Sequence, residues 1–186
     1  DTNYQLLTAV IETTTGTTYA DAVHQRIATP LGLAATYVAG DEPRTSGHPP
    51  LSLHHKDQPL DLPDALASEQ GAGGIISTLD DQLRFTRAYH HHIDEMHIWN
   101  RIVFPVDYGH GIMRYRLPRW MTGIRVTPEL IGHSGSTNSF AFHAPELGCH
   151  IVGTLNQLDN PARAFRLLTK VAGGIRTAQP GSPRTG

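Results

Sequence analysis

The chain has 186 residues, enough for one ordinary domain or for two lobes sharing a core. Hydrophobic residues make up 39% and charged residues 17%, and the net charge of −2 leaves no basic excess to attract nucleic acid or anionic lipid. The expected partner is a small molecule or a peptide, and with Cys149 as the single cysteine an intrachain disulfide and a thiolate metal cluster are both excluded.

From Asp1 to Thr15 the residues Tyr4, Leu7 and Ile11, with Leu6 and Val10 beside them, recur at helical spacing before Gly16. The spacing predicts a helix with an apolar core face. Thr18 is placed to cap a second helix, with Tyr19, Val23 and Ile27 on one side and Pro30 as its stop. Residues 38–70, rich in Pro, Gly, Asp and Ser, read as a long surface loop lining a site. Gly71 to Thr78 brings glycines that permit close backbone approach. Thr78, with Asp81 three positions on, then starts a helix from Leu79 to about His92.

After Pro105 short apolar runs between Gly and Pro predict a sheet, with strands at 108–116, 129–133, 139–144 and 149–155 and a tight reversal at 145–148. Phe140 and Phe142 alternate with Ala141 and so share one face. Asn160-Pro161 opens a closing helix whose face is Ala164, Phe165, Leu168, Val171 and Ala172, with Gly173-Gly174 as its stop. The expected organisation is a helical lobe with its loop over 1–104, an antiparallel sheet and C-terminal helix over 105–176, and a disordered tail over 177–186. No run reaches the roughly 18 apolar residues that span a bilayer, and Asp1 does not open a leader segment.

Gly132-His133-Ser134-Gly135-Ser136 ends a predicted strand, where free backbone N–H groups can serve a developing oxyanion. Taken alone, such a turn is more often only a turn. His90-His91-His92 does not form a ligand set, because consecutive helical residues point about 100° apart; it reads as a solvated helix end, and no metal or cofactor is expected. Asp80 and Asp81 read as helix N-terminal charges. His110 and His143 read as packing or rim residues, and Cys149 as a strand residue.

Laid together, these segments resemble the class C β-lactamase, D-alanyl-peptidase and esterase family. The resemblance rests on Asp1 to Leu7, Ile11 to Gly16, Pro30-Leu31-Gly32-Leu33, Gly73 to Asp81, Tyr108-Gly109-His110-Gly111, Gly132 to Gly135 and Pro145 to Asn156, in family order. It implies an α/β protein of α+β type, β-lactamase/transpeptidase-like, with an antiparallel sheet flanked by helices beside a helical lobe. It also implies acyl transfer by a serine of a Ser-x-x-Lys motif, helped by that Lys and by a Tyr. By the same resemblance His133, Ser134 and Gly135 match the third motif, with His133 in the place of a lysine. Ser136 supplies an oxyanion N–H, and Asp1 is the last residue of the second motif. A periplasmic or secreted setting follows from the family; the residues themselves leave the compartment open, the cytoplasm included.

The departure is that no Ser-x-x-Lys occurs: Lys56 and Lys170 are the only lysines, preceded three residues earlier by Leu53 and Leu167. The expectation is a C-terminal portion, inactive alone, that lacks the first strands and pairs with the missing segment or dimerises. The alternative is a non-catalytic penicillin-recognition-like binding module.

Overall fold

The computed structural model describes residues 2–40, 50–93, 98–117 and 127–178, and the chain divides into two compact units, Asp1–Phe85 and Thr86–Gly186.

In the first unit α1 (Thr2–Thr15) ends where Gly16, at φ +67°, returns its N–H to Glu12 O at 2.9 Å. Thr18 caps α2 (Tyr19–Val23) by accepting the Asp21 N–H at 3.1 Å, as its sequence position predicts. Pro30 does not end this helix. A wide turn over His24–Ala28, in which the Thr29 N–H reaches back five residues to His24 O, leads into α3 (Thr29–Leu31), and left-handed Gly32 closes it. A proline fits the first turn of α3, where no intrahelical N–H is required.

The expected apolar face of α1 is also corrected. Leu6, Leu7 and Val10 are exposed, and the buried residue is Thr8, whose hydroxyl turns back to Tyr4 O at 3.1 Å. Gly71 explains the choice: a Cβ there would lie 2.3 Å from Thr8 Oγ1, so the chain after α4 (Pro63–Glu69) docks on the Thr8 side. The expected loop over 38–70 holds structure as well. Besides α4 it carries a hairpin of β2 (Leu53–His55) and β3 (Gln58–Leu60), turned at Lys56 with φ +56°. Three-residue strands carry too little alternation to be read from sequence. β1 (Tyr37–Val38) pairs with β4 (Ile75–Ile76).

Thr78 Oγ1 accepts the Asp81 N–H at 3.3 Å at the start of α5 (Leu79–Ile93), as expected. The Asp81 carboxylate is nevertheless buried. It accepts the Ala35 N–H at 2.8 Å and the Thr36 hydroxyl at 2.9 Å, a tether across 46 residues of chain.

The second unit is built on a six-stranded antiparallel sheet, order β10-β9-β8-β7-β6-β5. Its strands are β5 (Asn100–Val103), β6 (Val106–Tyr108), β7 (Met113–Tyr115), β8 (Leu130–Ser134), β9 (Phe140–Ala144) and β10 (Cys149–Gly153). The single strand predicted over 108–116 is two, because Gly109 N–H bonds Ile112 O at 2.8 Å and Gly111 takes φ +76°, which folds β6 onto β7. β5 begins before Pro105 and has no counterpart in the sequence reading. Gly148, left-handed, completes the predicted reversal between β9 and β10.

Phe140, Phe142 and Ala144 do share a face, and with Leu130, Tyr115 and Ile151 they pack on Ala164, Leu168 and Ala172 of α6 (Ala162–Ala178). Burying a phenylalanine as fully as Phe142 stabilises by roughly 1.5–3 kcal/mol. α6 runs through Gly173-Gly174 and Thr177 rather than stopping, since Ile175 one turn further on still packs against the core and outweighs the glycines' poor helix propensity. Thr177 and Ala178, predicted to lie in the tail, belong to this helix, and residues 179–186 lie outside the described residues. On the other face Ile112 and Ile131 meet Tyr89 and Trp99. His90, expected in solvent, packs there against His143 and His150, with ring centroids 5.1 and 5.3 Å away; the side chains of His91 and His92 lie outside the described residues.

Candidate active site

β8 delivers His133 and Ser134 to its C-terminal end. A strand can pass so close to β9 only because residue 132 has no side chain: a Cβ on Gly132 would lie 2.0 Å from Ala141 O. The chain then reverses over Gly135–Asn138, with Asn138 N–H to Gly135 O at 3.0 Å and Gly135 N–H to Ser139 O at 2.8 Å. Gly135 and Ser136 are exposed on this turn, and among the described residues no backbone acceptor takes the Ser136 N–H.

Asn138, which sequence reasoning passed over, holds the turn in place. It is fully buried at φ +57°; its Nδ2 donates to Gln157 O at 2.7 Å and Asp159 O at 3.1 Å, and its Oδ1 accepts the Ala164 N–H at 3.0 Å. Asparagine is among the few side chains that tolerate a left-handed backbone, and its position in Gly-Ser-Thr-Asn was the available signal.

His133 donates from Nδ1 to Ser134 O at 2.9 Å, and its Nε2 lies 3.3 Å from the Tyr108 hydroxyl. Loss of hydration beside the strands pushes its pKa below the ordinary imidazole value of 6.5, with the Ser134 carbonyl pulling the other way. Ser134 Oγ faces Met113 Sδ at 3.9 Å. Tyr108 is the second residue that sequence reasoning missed; it stood in the quoted Tyr-Gly-His-Gly segment, but only pairing of β6 with β7 and β7 with β8 carries it to His133. His110, read from the sequence as a packing or rim residue, sits in the exposed turn between β6 and β7. Next to Tyr108, hydrogen bonds from Arg101 and from Arg114, the latter at 2.9 Å, lower the pKa of the Asp107 carboxyl. Asp1 lies outside the described residues. No group of three His, Cys, Asp or Glu side chains among the described residues is arranged to hold a metal ion. Burial raises the Cys149 thiol's pKa, which leaves it a poor nucleophile at neutral pH.

The antiparallel sheet, its closing helix and the His-Ser-Gly strand end coincide with a match of the Beta-lactamase family model to residues 1–173. The chain belongs to the β-lactamase family.

Solved structures agree with this family's fold. A D-stereospecific amidohydrolase from Streptomyces sp. is 28% identical with a TM-score of 0.61, over 84% of this chain and 49% of that one. A D-amino acid amidase from Ochrobactrum anthropi SV3, complexed with L-phenylalanine, is 20% identical with a TM-score of 0.74, over 95% and 56%. In its complex with D-phenylalanine the figures are 22%, 0.63, 90% and 57%. The chain thus spans about half the length of these β-lactamase-fold proteins. No curated protein sequence matches it. Among the described residues no helix is long and apolar enough to cross a membrane.

Proposed function

We propose that this chain supplies one wall and one oxyanion donor of a serine amidohydrolase that acts on amides of D-amino acids. The observation that supports the reading is the turn after His133, on which Ser136 is exposed and its N–H has no backbone acceptor among the described residues. A substrate carbonyl oxygen placed there would gain a donor for the charge it develops. The 28% identity to a D-stereospecific amidohydrolase favours an amide over a β-lactam or a simple ester.

In this reaction a serine hydroxyl from a Ser-x-x-Lys segment attacks the amide carbonyl, and its proton passes through the motif's Lys and Tyr to the leaving amine. Water then cleaves the acyl-enzyme to release the acid. His133 forms the facing wall, Ser134 and Gly135 line the approach, and Asp1 closes the second motif. These 186 residues contain no Ser-x-x-Lys, so the isolated chain does not turn over.

The test is intact-mass analysis after incubation with a fluorophosphonate probe, together with ammonia release from D- and L-phenylalanine amide. Both are run on this chain and on the chain preceded by its upstream-encoded sequence. An adduct and D-selective ammonia release from the longer form alone support the reading. Neither, from either form, overturns it in favour of a binding module, and an adduct on this chain alone makes a residue such as Ser134 the nucleophile.

A further inference from the structure

Two hydrogen bonds decide how the His133 ring is used. Its Nδ1 lies 2.9 Å from Ser134 O, an oxygen that only accepts, so Nδ1 carries a proton. A neutral ring then leaves Nε2 as an acceptor, and the Tyr108 hydroxyl at 3.3 Å donates to it. The Tyr108 ring also stands edge-on to the imidazole, 84° between planes and 5.8 Å between centroids.

We infer that Tyr108 is a positioning residue that fixes His133 as the Nδ1–H tautomer and so makes this wall a polar, uncharged surface, suited to a carboxamide and not to a carboxylate. The substrate half of the inference rests on reading His133 as part of the site; the tautomer half does not. Where the family resemblance places a lysine, a fixed cation would attract a carboxylate, whereas a neutral imidazole offers it no countercharge.

The surroundings agree with a neutral ring. The His133 ring lies at the exposed end of β8, where the strands around it remove part of its hydration; this lowers its pKa, the Ser134 carbonyl opposes it, and no charged side chain is among the causes. Tyr108 is the titratable group that meets the ring from β6, and the facing residue on β9 is Ala141. Asp107, adjacent to Tyr108, is already held by Arg101 and Arg114.

The experiment is nitrogen-15 NMR of the imidazoles in the 186-residue chain, wild type and Tyr108→Phe, across pH 4.5 to 8. In the wild type His133 is expected as one tautomer, protonated on Nδ1, titrating below 6.5. In Tyr108→Phe, with folding verified by circular dichroism, the midpoint is expected to move up toward 6.5 and the tautomers to mix, because the neutral form loses its donor. A wild-type Nε2–H tautomer overturns the inference without any variant, as does a folded Tyr108→Phe whose midpoint stays or moves down. None of these readouts needs a nucleophile, so their failure is separable from failure of the amidase reading. In the longer, active form the preference for D-phenylalanine amide over a carboxylate-terminated D-phenylalanine peptide is expected to fall in Tyr108→Phe as the pH is lowered toward 5. An unchanged preference overturns the substrate half.

Discussion

Asn138 Oδ1 accepts the Ala164 N–H at 3.0 Å, so a single buried side chain joins the turn after His133 to the first turn of α6. The same amide donates to Gln157 O and Asp159 O, while its backbone N–H closes the turn on Gly135. Asn138→Ala leaves these buried partners without their bonds and puts a Cβ-bearing residue with no such compensation at φ +57°. The expected loss is about 3 kcal/mol, read as a lower urea midpoint at unchanged slope. Asn138→Gly keeps the backbone freedom and is expected to lose less; equal losses would mean the backbone conformation contributes nothing.

Gly132→Ala sets a methyl 2.0 Å from Ala141 O, against backbone that cannot yield without parting β8 from β9. We expect a loss of roughly 3 kcal/mol or more, or failure to fold. Gly174→Ala is its counterpart: nothing lies within 4 Å of the added carbon and the residue is helical, so a gain of about 0.5–1 kcal/mol is expected. Thermal unfolding of both variants checks the pair.

Ser136→Pro removes the proposed oxyanion N–H while suiting the second position of the turn, since residue 136 does not have positive φ. In the chain preceded by its upstream-encoded sequence, any kcat for D-phenylalanine amide is expected to fall about 10²–10³-fold with the melting temperature nearly unchanged. Full activity in a folded Ser136→Pro would remove this N–H from the mechanism.

His143 stacks on His150 at 4.6 Å, and His90 closes the group from α5. Burial, then the charges of His143, His90 and Arg87, hold the His150 pKa below 6.5. A folded pKa below the unfolded one means that the unfolded chain takes up the proton first. This contribution is therefore complete above pH ~6.5 and is lost as the pH falls from there through the folded value. The urea midpoint is expected to be flat above neutrality and to drop toward pH 5, and His150→Gln to flatten the drop. An identical drop in His150→Gln would place the sensitivity elsewhere.

Asp81→Ala cuts the tether to Ala35 and Thr36 and leaves the partly buried Ala35 N–H without its acceptor. A loss of about 2 kcal/mol is expected, with hydrogen exchange rising first at the Ala35 amide. Unchanged protection there would show that the contact carries no stability.

Local order in the chain fixed much of this protein. The capping position of Thr18, the Phe140/Phe142 alternation, the Pro145–Gly148 reversal and the apolar face of α6, apart from Val171, which is exposed, all follow from periodicity and turn chemistry, which act over a few residues. The His-Ser-Gly-Ser strand end was legible for the same reason, as was the family, whose motifs recur in order along the chain. Tertiary structure alone decided that Tyr108 meets His133, that Asn138 anchors α6, that Asp81 is a buried tether and that His90 meets the His143–His150 pair. Each of those depends on strand register or on partners about 25 to 60 residues away in the chain, and no local pattern encodes which of several similar residues a strand will set beside another. The same reason explains the misread α1 face: periodicity marks an apolar stripe, while burial belongs to whichever side another part of the chain packs against, here the Thr8 side met by Gly71.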